Sequence, residues 1–228
     1  MPLEKLNLKD VARRLDRPFA MIDMALVGDI MVSLYLCQGT LAWHRHLDQD
    51  ELFWVHQGVI LLETERGEVR LRPGEMSIVH KGLAHRSGSP FPSTVLLLRC
   101  AVLPERKNGR RFLYGTREGP PQRISLNAAV ENLRVPFQPR TVAHIEDSAI
   151  QVMRGEGEWP LMEPSPHDAL LLSLSGTAMI YEVGAHRVVP LTLGPDELTV
   201  LYKDTPYQMF TKGETVLVRV TREAEEDR

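Results

Sequence analysis

Short apolar segments, separated by Gly or Pro, make up most of the chain. Strands joined by turns have this pattern, because branched and aromatic residues favour strands while Gly and Pro interrupt them. Within segment 68–72 apolar and charged residues alternate strictly, as in a strand with one buried face. Many short strands at regular spacing are typical of a sandwich or barrel. The segments that illustrate the pattern are 30–36, 51–55, 59–64, 68–72 and 94–100.

Two helical patterns interrupt this β-type sequence, one near the start of each half of the chain. They cover residues 8–15 and 126–133. Asn7 and Ser125 directly precede them, and side chains of these types accept hydrogen bonds from the free N–H groups of a first helical turn. The sequence therefore predicts a short helix ahead of each run of strands.

The order of these elements repeats along the chain. Residues 15–19 align with 133–137, and Gly58 aligns with Gly176, at a constant offset of 118 positions. After a four-residue insertion near Gly184, segment 73–81 aligns with 195–203. A period above about 100 residues is too long for a solenoid repeat. We interpret it as a duplicated domain, with predicted domains at 1–115 and 119–228 and a boundary in the Gly- and Pro-rich stretch 114–122.

Composition and charge narrow the class of protein. The 228 residues are 43% hydrophobic and 25% charged, with a net charge of −3, which is typical of a globular chain with a buried core. Apart from 106–111, taken as a solvated loop, no dense run of Lys and Arg suggests a nucleic-acid partner. No apolar stretch approaches the roughly 20 residues of a membrane span. Charges near the N-terminus and two cysteines taken as free thiols favour a cytoplasmic protein.

One group of residues carries the candidate chemistry. His44 and His46 lie two positions apart, so on a strand both side chains point to the same face. Glu51 follows on the next predicted strand, and His85 comes much later, where a barrel can bring it back against the first pair. Three imidazoles and one carboxylate suit Fe(II), Mn(II), Ni(II), Cu(II) or Zn(II). The predicted cofactor is therefore one divalent transition metal: Fe, Mn, Ni or Zn.

At these residues the sequence resembles the cupin superfamily, and it is most similar to small cupins that resemble mannose-6-phosphate isomerase. His80 stands where the family usually has proline, and Ser89 where it often has asparagine. The resemblance implies an all-β fold of two tandem cupin barrels, also called double-stranded β-helices or jelly rolls, each preceded by a short helix. The residues that fill the two family motifs are Gly39, His44, His46, Glu51 and Gly58, then Gly74, Gly82 and His85.

The second half of the chain lacks these ligands. Tyr207 faces His85 in the alignment, and the positions that face His44, His46 and Glu51 are Met162, Pro164 and Ala169. His167 and His186 lie nearby but at no motif position. We interpret the second domain as a degenerate barrel without metal ligands. It is either a structural or dimerisation partner or a barrel that binds an organic ligand without metal.

Other polar and aromatic residues have alternative roles. His56 is expected to face away from the barrel interior, whereas His80 is either an acid or base at the pocket rim or a residue of the turn. Trp43 and Trp54 are expected in the core, and Phe53 in the core or the cavity wall. The residues whose side chains are expected to point into the first barrel are Tyr35, Cys37, Phe53 and Arg99.

Four protein ligands leave one or two coordination positions of such a metal open. In cupins this supports dioxygenases, decarboxylases, isomerases and sugar-modifying enzymes, so the fold does not select a reaction. We expect a metal-dependent enzyme acting on a small oxygen-bearing metabolite, with dioxygenase-like chemistry first and an isomerase second. The alternative is a non-catalytic module that binds or senses a small ligand with the help of the metal. The sequence identifies no catalytic base, and both a monomer and a homodimer are compatible with it.

Overall fold

The computed structural model describes residues 3–101, 119–184 and 189–222. The chain divides into two compact units. The N-terminal barrel is Val11–Asn127, and the C-terminal barrel is Met1–Asp10 together with Ala128–Arg228. The basic stretch 106–111, His186 and most of the boundary predicted at 114–122 lie outside the described residues.

Strands form almost all of the regular structure. In chain order, the elements up to residue 125 are β1 Lys5–Asn7, α1 Leu8–Ala12, β2 Met21–Val27, β3 Ile30–Thr40, β4 Glu51–Gln57, β5 Ile60–Thr64, β6 Gly67–Leu71, β7 Glu75–Val79, β8 His85–Cys100 and β9 Ile124–Ser125. The remaining elements are α2 Leu126–Glu131, β10 Arg140–Ile145, β11 Ser148–Glu158, β12 Ala169–Ser175, β13 Ala178–Glu182, β14 Leu191–Leu193, β15 Glu197–Leu201 and β16 Tyr207–Arg222.

Each barrel is built from one antiparallel eight-stranded sheet. In the N-terminal barrel the order is β2-β3-β8-β4-β7-β9, and β5 pairs with both β6 and β8. In the C-terminal barrel the order is β1-β15-β12-β16-β11-β10, and β13 pairs with both β14 and β16. The predicted all-β fold of two jelly-roll barrels, each preceded by a short helix, is confirmed. No helix within the described residues is long and apolar enough to cross a membrane.

The helices and some strands differ in length from the prediction. Asn7 caps α1 as expected, since its Oδ1 accepts a hydrogen bond from the Lys9 N–H at 2.9 Å. The helix is shorter than predicted because Arg14 and Leu15 donate to carbonyls three residues earlier, which tightens the last turn. Strand β2 was not predicted, and β8 begins nine residues earlier than the segment 94–100.

The two halves of the sequence exchange their leading strands. Strand β1 pairs with β15 of the C-terminal barrel, with Asn7 opposite Glu197. Strand β9 pairs with β7 of the N-terminal barrel in the equivalent register, with Ser125 opposite Glu75. Each half of the chain therefore supplies an edge strand to the sheet that the other half forms.

The backbone repeats in the same way as the sequence. Phe19 and Phe137 both adopt positive φ, at 59° and 66°, and Gly58 and Gly176 do so at 81° and 75°. A Cβ atom at Gly58 would lie 2.9 Å from the Cα of Ser93, so this turn requires glycine for space as well as for conformation. The shared outliers, at aligned positions, support the interpretation of a duplicated domain.

The predictions for aromatic and thiol groups have mixed outcomes. Phe53 and Trp54 are buried, as expected. The prediction that Trp43 lies in the core was wrong. Its side chain is 48% exposed, and the Arg86 guanidinium lies 5.1 Å from its ring centre. Cys37 and Cys100 are buried free thiols, which confirms the expectation.

Candidate metal centre

Three different parts of the N-terminal barrel meet at the candidate site. Glu51 is the first residue of β4 and His85 the first residue of β8, while His44 and His46 lie in the connection between β3 and β4. His44 forms an isolated bridge with His85, in which each N–H donates to the other residue's carbonyl at 3.0 and 2.9 Å. The two early histidines thus belong to an irregular segment rather than to the strand that their spacing predicted.

The four predicted ligand residues come together in the structure. Their candidate ligand atoms, one from each residue, all lie within 4.8 Å of one another. Glu51 Oε2 lies 3.0 Å from His85 Nε2, and Glu51 Oε1 lies 3.4 Å from His46 Nε2. Glu51 and His85 are almost fully buried, with 5% and 1% of their surface exposed. Such a cluster could hold a metal ion.

The outer hydrogen bonds of two imidazoles fix which nitrogen faces the centre. His44 Nδ1 lies 2.9 Å from the Ala42 carbonyl, and His85 Nδ1 lies 3.0 Å from the Leu83 carbonyl. A carbonyl only accepts hydrogen bonds, so Nδ1 carries the proton in each ring and the neutral form has a lone pair on Nε2. At His85 this lone pair would face a carboxylate oxygen of Glu51. A cation between the two groups removes that repulsion, which fits a metal site with ordinary outer-shell support.

Electrostatic effects favour the deprotonated forms that bind metals. Burial raises the pKa of Glu51, but while no metal is bound and the histidines are protonated, a hydrogen bond from His85 and the charges of His46, His85 and His44 outweigh it and hold this pKa below its ordinary value. Burial also lowers the pKa of His46, against the opposing charge of Glu51. A carboxylate and a neutral imidazole are the forms needed for coordination.

Three residues of the cluster, His44, His46 and Glu51, lie in the wall of a cavity of about 280 Å³. Tyr35, Phe53 and Arg99, three of the side chains expected to point inward, line this cavity. The fourth, Cys37, belongs to the buried core. Tyr35 donates a hydrogen bond to Ser87 Oγ at 3.2 Å, and burial raises the pKa of its hydroxyl well above the ordinary value. Tyr35 is therefore protonated near neutral pH.

Arg99 brings a positive charge to the same cavity. It is the cross-strand partner of Glu51 in the β4–β8 pair. Its Nη2 lies 3.6 Å from the Met21 sulfur and 3.7 Å from Asp23 Oδ1, both of them long contacts. Its Nε is buried and has no hydrogen-bond partner. The guanidinium thus keeps capacity to bind an anion.

Two further histidines lie outside the cavity wall. His80 Nδ1 lies 2.9 Å from Asp50 Oδ2, and Asp50 Oδ1 accepts a hydrogen bond from the Lys81 N–H at 2.9 Å. These contacts support the alternative in which His80 is a residue of the turn. His56 contacts Thr94 Oγ1 at 3.1 Å and faces away from the cavity, as expected.

The C-terminal barrel has apolar residues in place of the ligands. A bridge between Met162 and Tyr207 replaces the His44–His85 bridge, and Ala169 begins β12 as Glu51 begins β4. Within the three described ranges, the cluster in the N-terminal barrel is the only group of His, Cys, Asp and Glu close enough to share a metal. Instead the C-terminal barrel contains a cavity of about 480 Å³, with His167 in its wall.

Sequence reasoning missed Arg219, a residue that lines this second cavity. Arg219 lies in the β16 segment Val216-Leu-Val-Arg-Val220. A charged residue inside an apolar strand is a signal that could have identified it. Arg99, in Leu96-Leu-Leu-Arg-Cys100, gives the same signal in the first barrel.

Comparisons with known proteins agree with this fold. No protein-family model matches the chain. The uncharacterized protein YdbB of Bacillus subtilis (strain 168) is 32% identical over 84 residues, which cover 36% of this chain and 74% of YdbB.

Two solved structures resemble the whole chain. A cupin 2 conserved barrel domain protein from Leptotrichia buccalis has a TM-score of 0.72 at 11% identity, covering 98% of both chains. Salicylate 1,2-dioxygenase from Pseudoaminobacter salicylatoxidans, in a structure of its adducts with gentisate, has a TM-score of 0.72 at 10% identity and covers 97% of this chain and 81% of its own. The chain therefore belongs to the same protein family as YdbB, and it shares the fold of these two cupin-type structures.

Proposed function

We propose that the chain is a metal-dependent bicupin enzyme that acts on a small oxygen-bearing organic acid. In this proposal one Fe, Mn, Ni or Zn ion is bound by His44, His46, Glu51 and His85. The observation that carries it is the convergence of four ligand atoms beside an open cavity that three of these residues line. Dioxygenase-like chemistry is the favoured reaction class.

The charges of the site favour an anionic substrate. A divalent ion and Glu51 together would leave one positive charge, and Arg99, whose contact with Asp23 is long at 3.7 Å, adds a guanidinium on the same cavity. When bound, such a metal supplies Lewis acidity and open coordination positions for oxygen donors. Arg99 would hold a carboxylate, and the protonated Tyr35 would donate a hydrogen bond to a substrate oxygen. Phe53 supplies an apolar wall that excludes water.

The ionisable groups of the cavity favour an oxygenase over an isomerase. An isomerase needs a base to move a proton between carbon atoms. Among the described residues, and apart from the candidate metal ligands, the ionisable side chains that line the cavity are Tyr35 and Arg99. Burial keeps Tyr35 protonated, and an arginine does not act as a base near neutral pH. The likeness in fold to a salicylate dioxygenase is a weaker support for the same choice.

Oxygen uptake separates the candidate functions. Metal-free protein is loaded anaerobically with Fe(II), Mn(II), Ni(II) or Zn(II), and then mixed with oxygen and hydroxycarboxylic acids, beginning with gentisate and salicylate. We expect substrate-dependent oxygen uptake with a redox-active metal and none with Zn(II). Conversion with Zn(II) and without oxygen uptake would establish the isomerase instead. Bound metal without turnover of any acid tested would favour the binding module.

Arg99 gives a direct test of the substrate's charge. We expect Arg99→Met to raise KM for a carboxylate substrate by about 10- to 100-fold, as for loss of a charge-assisted hydrogen bond of about 1.5 to 3 kcal/mol. Metal content should not change. Arg86→Met is the matched control, because Arg86 pairs with Glu63 through two hydrogen bonds of 2.7 and 2.9 Å outside the cavity. An equal KM in the two variants would contradict the role of Arg99.

Several sequence-based expectations stay predictions. They are the domain limits 1–115 and 119–228, the absence of a nucleic-acid partner, a cytoplasmic location and a possible homodimer.

A further inference from the structure

We propose that the C-terminal barrel is a second, metal-free binding site, for an organic anion with an apolar body. The anionic group would pair with Arg219, and the apolar body would fill the rest of the cavity. This site does not depend on the function proposed for the N-terminal barrel. Its volume of about 480 Å³ lies within the usual range of small-ligand pockets.

Arg219 carries a charge that the barrel does not neutralise. Its Nε and Nη2 both donate to Gln151 Oε1, at 2.9 and 2.7 Å, so two donors share one uncharged acceptor. Within the described ranges no carboxylate pairs with this guanidinium, and Nη1 has no acceptor. Burial alone accounts for the lowered pKa of Arg219. A bound anion would supply the missing charge and acceptors, because guanidinium groups bind carboxylates through two parallel hydrogen bonds.

The other charged groups of the cavity are already paired or lie in water. Arg222 forms an ion pair with Asp147, with 2.8 Å between Nε and Oδ2. Glu163 lies at the exposed rim. Besides the titratable His167 in the wall, one half-buried positive charge therefore remains, that of Arg219, which fits a ligand with a single anionic group rather than a polyanion.

The walls select an apolar ligand body. Met153, Met162 and Met209 line the cavity together with Phe137 and Trp159. The rings of Phe137 and Trp159 meet edge to face, with centres 5.0 Å apart. Methionine side chains are flexible and polarisable, so they adapt to aromatic and aliphatic groups alike.

The register relates this site to the metal centre. Arg219 lies opposite Leu171 on the neighbouring strand, and the aligned pair in the N-terminal barrel is Leu97 opposite Phe53. The C-terminal barrel thus has an arginine where the other barrel has a leucine, and apolar residues where the other has metal ligands. The polar group of the interior is thus Arg219 in the C-terminal barrel, whereas it is the candidate metal cluster in the N-terminal barrel.

Two fluorescent probes that share one apolar body test the proposal. One is 8-anilinonaphthalene-1-sulfonate, and the other is N-phenyl-1-naphthylamine, which lacks the sulfonate. In metal-free protein we expect Arg219→Met to weaken binding of the sulfonate at least about tenfold and to leave binding of the uncharged probe within about twofold. Arg154→Met is the control, because Arg154 lies in the same barrel but outside the cavity and donates to the Leu133 carbonyl at 3.0 Å.

A second measurement uses the unchanged chain, in case Arg219→Met does not fold. Benzoate should raise the thermal unfolding midpoint of the metal-free protein, since a ligand stabilises the state that binds it, while the uncharged benzamide should not. Equal sulfonate binding by the folded variant and the original chain would overturn the proposal. Parallel loss of both probes, or equal shifts with benzoate and benzamide, would overturn it as well. Because the N-terminal cavity also presents an arginine, Arg99, the benzoate measurement is repeated with Arg99→Met, in which the shift should persist; its loss there would overturn the proposal.

Discussion

Simultaneous replacement of His44 and His46 by alanine is expected to remove bound metal from the chain. The change deletes two of four ligand residues and leaves Glu51 and the buried His85 3.0 Å apart with no second pair to complete coordination. Outer-shell changes alone weaken metal sites by about 10- to 100-fold, so we expect a loss of more than about a thousandfold. Elemental analysis of protein purified without chelators or nickel resin measures it.

His56→Ala is the control for this change, since His56 lies on β4 with Glu51 but contacts Thr94 outside the cavity. It should keep the metal content of the original chain, about one ion per chain. A double variant that folds and still carries this amount of metal would contradict the proposed centre. So would an original chain that neither contains metal nor takes it up.

The second large effect is expected at Gly58, in the turn between β4 and β5. Gly58→Ala places a Cβ atom against the Ser93 side chain and 2.9 Å from its Cα, at a φ of 81° that side chains rarely adopt. Ser93 Oγ accepts a hydrogen bond from the Val59 N–H at 3.0 Å, so moving it disrupts the turn. We expect a loss of about 3 kcal/mol in the free energy of unfolding, measured in urea.

Gly39 provides a matched comparison, because its φ is 82° and no atom lies within 4 Å of an added Cβ. Gly39→Ala should cost only the conformational strain, about 1 to 2 kcal/mol. Equal losses for the two variants would mean that crowding at Ser93 has no energetic effect.

The cluster of candidate ligands could be anticipated because it depends on features that a sequence records. His44, His46 and Glu51 are close along the chain, and the glycines that shape the turns limit how the strands connect. The recurrence of the turns and strands, at an offset of 118 and later of 122 positions, strengthened the prediction of barrels. The inward direction of Phe53 followed from its strand parity with Glu51, and Tyr35 and Arg99 were expected to point inward with it.

The strand exchange could not be predicted, because β1 and β9 are three and two residues long and too short to show a period. Their partners are chosen by long-range contacts, such as the hydrogen bond from the Leu8 N–H to the Asp196 carbonyl at 2.8 Å. Trp43 was misplaced for a related reason. Its position beside Arg86, whose charge is held by Glu63, depends on strands far apart in sequence.

The exchanged strands give the second half of the chain a purpose that is independent of any ligand. Strand β9 covers the edge of β7, which in turn pairs with β4, the strand that begins with Glu51. A chain that ended before β9 would have an N-terminal barrel with a bare sheet edge at β7, which invites aggregation. The first half therefore depends on a strand from the start of the second half for a complete sheet, whether or not the C-terminal barrel binds a ligand.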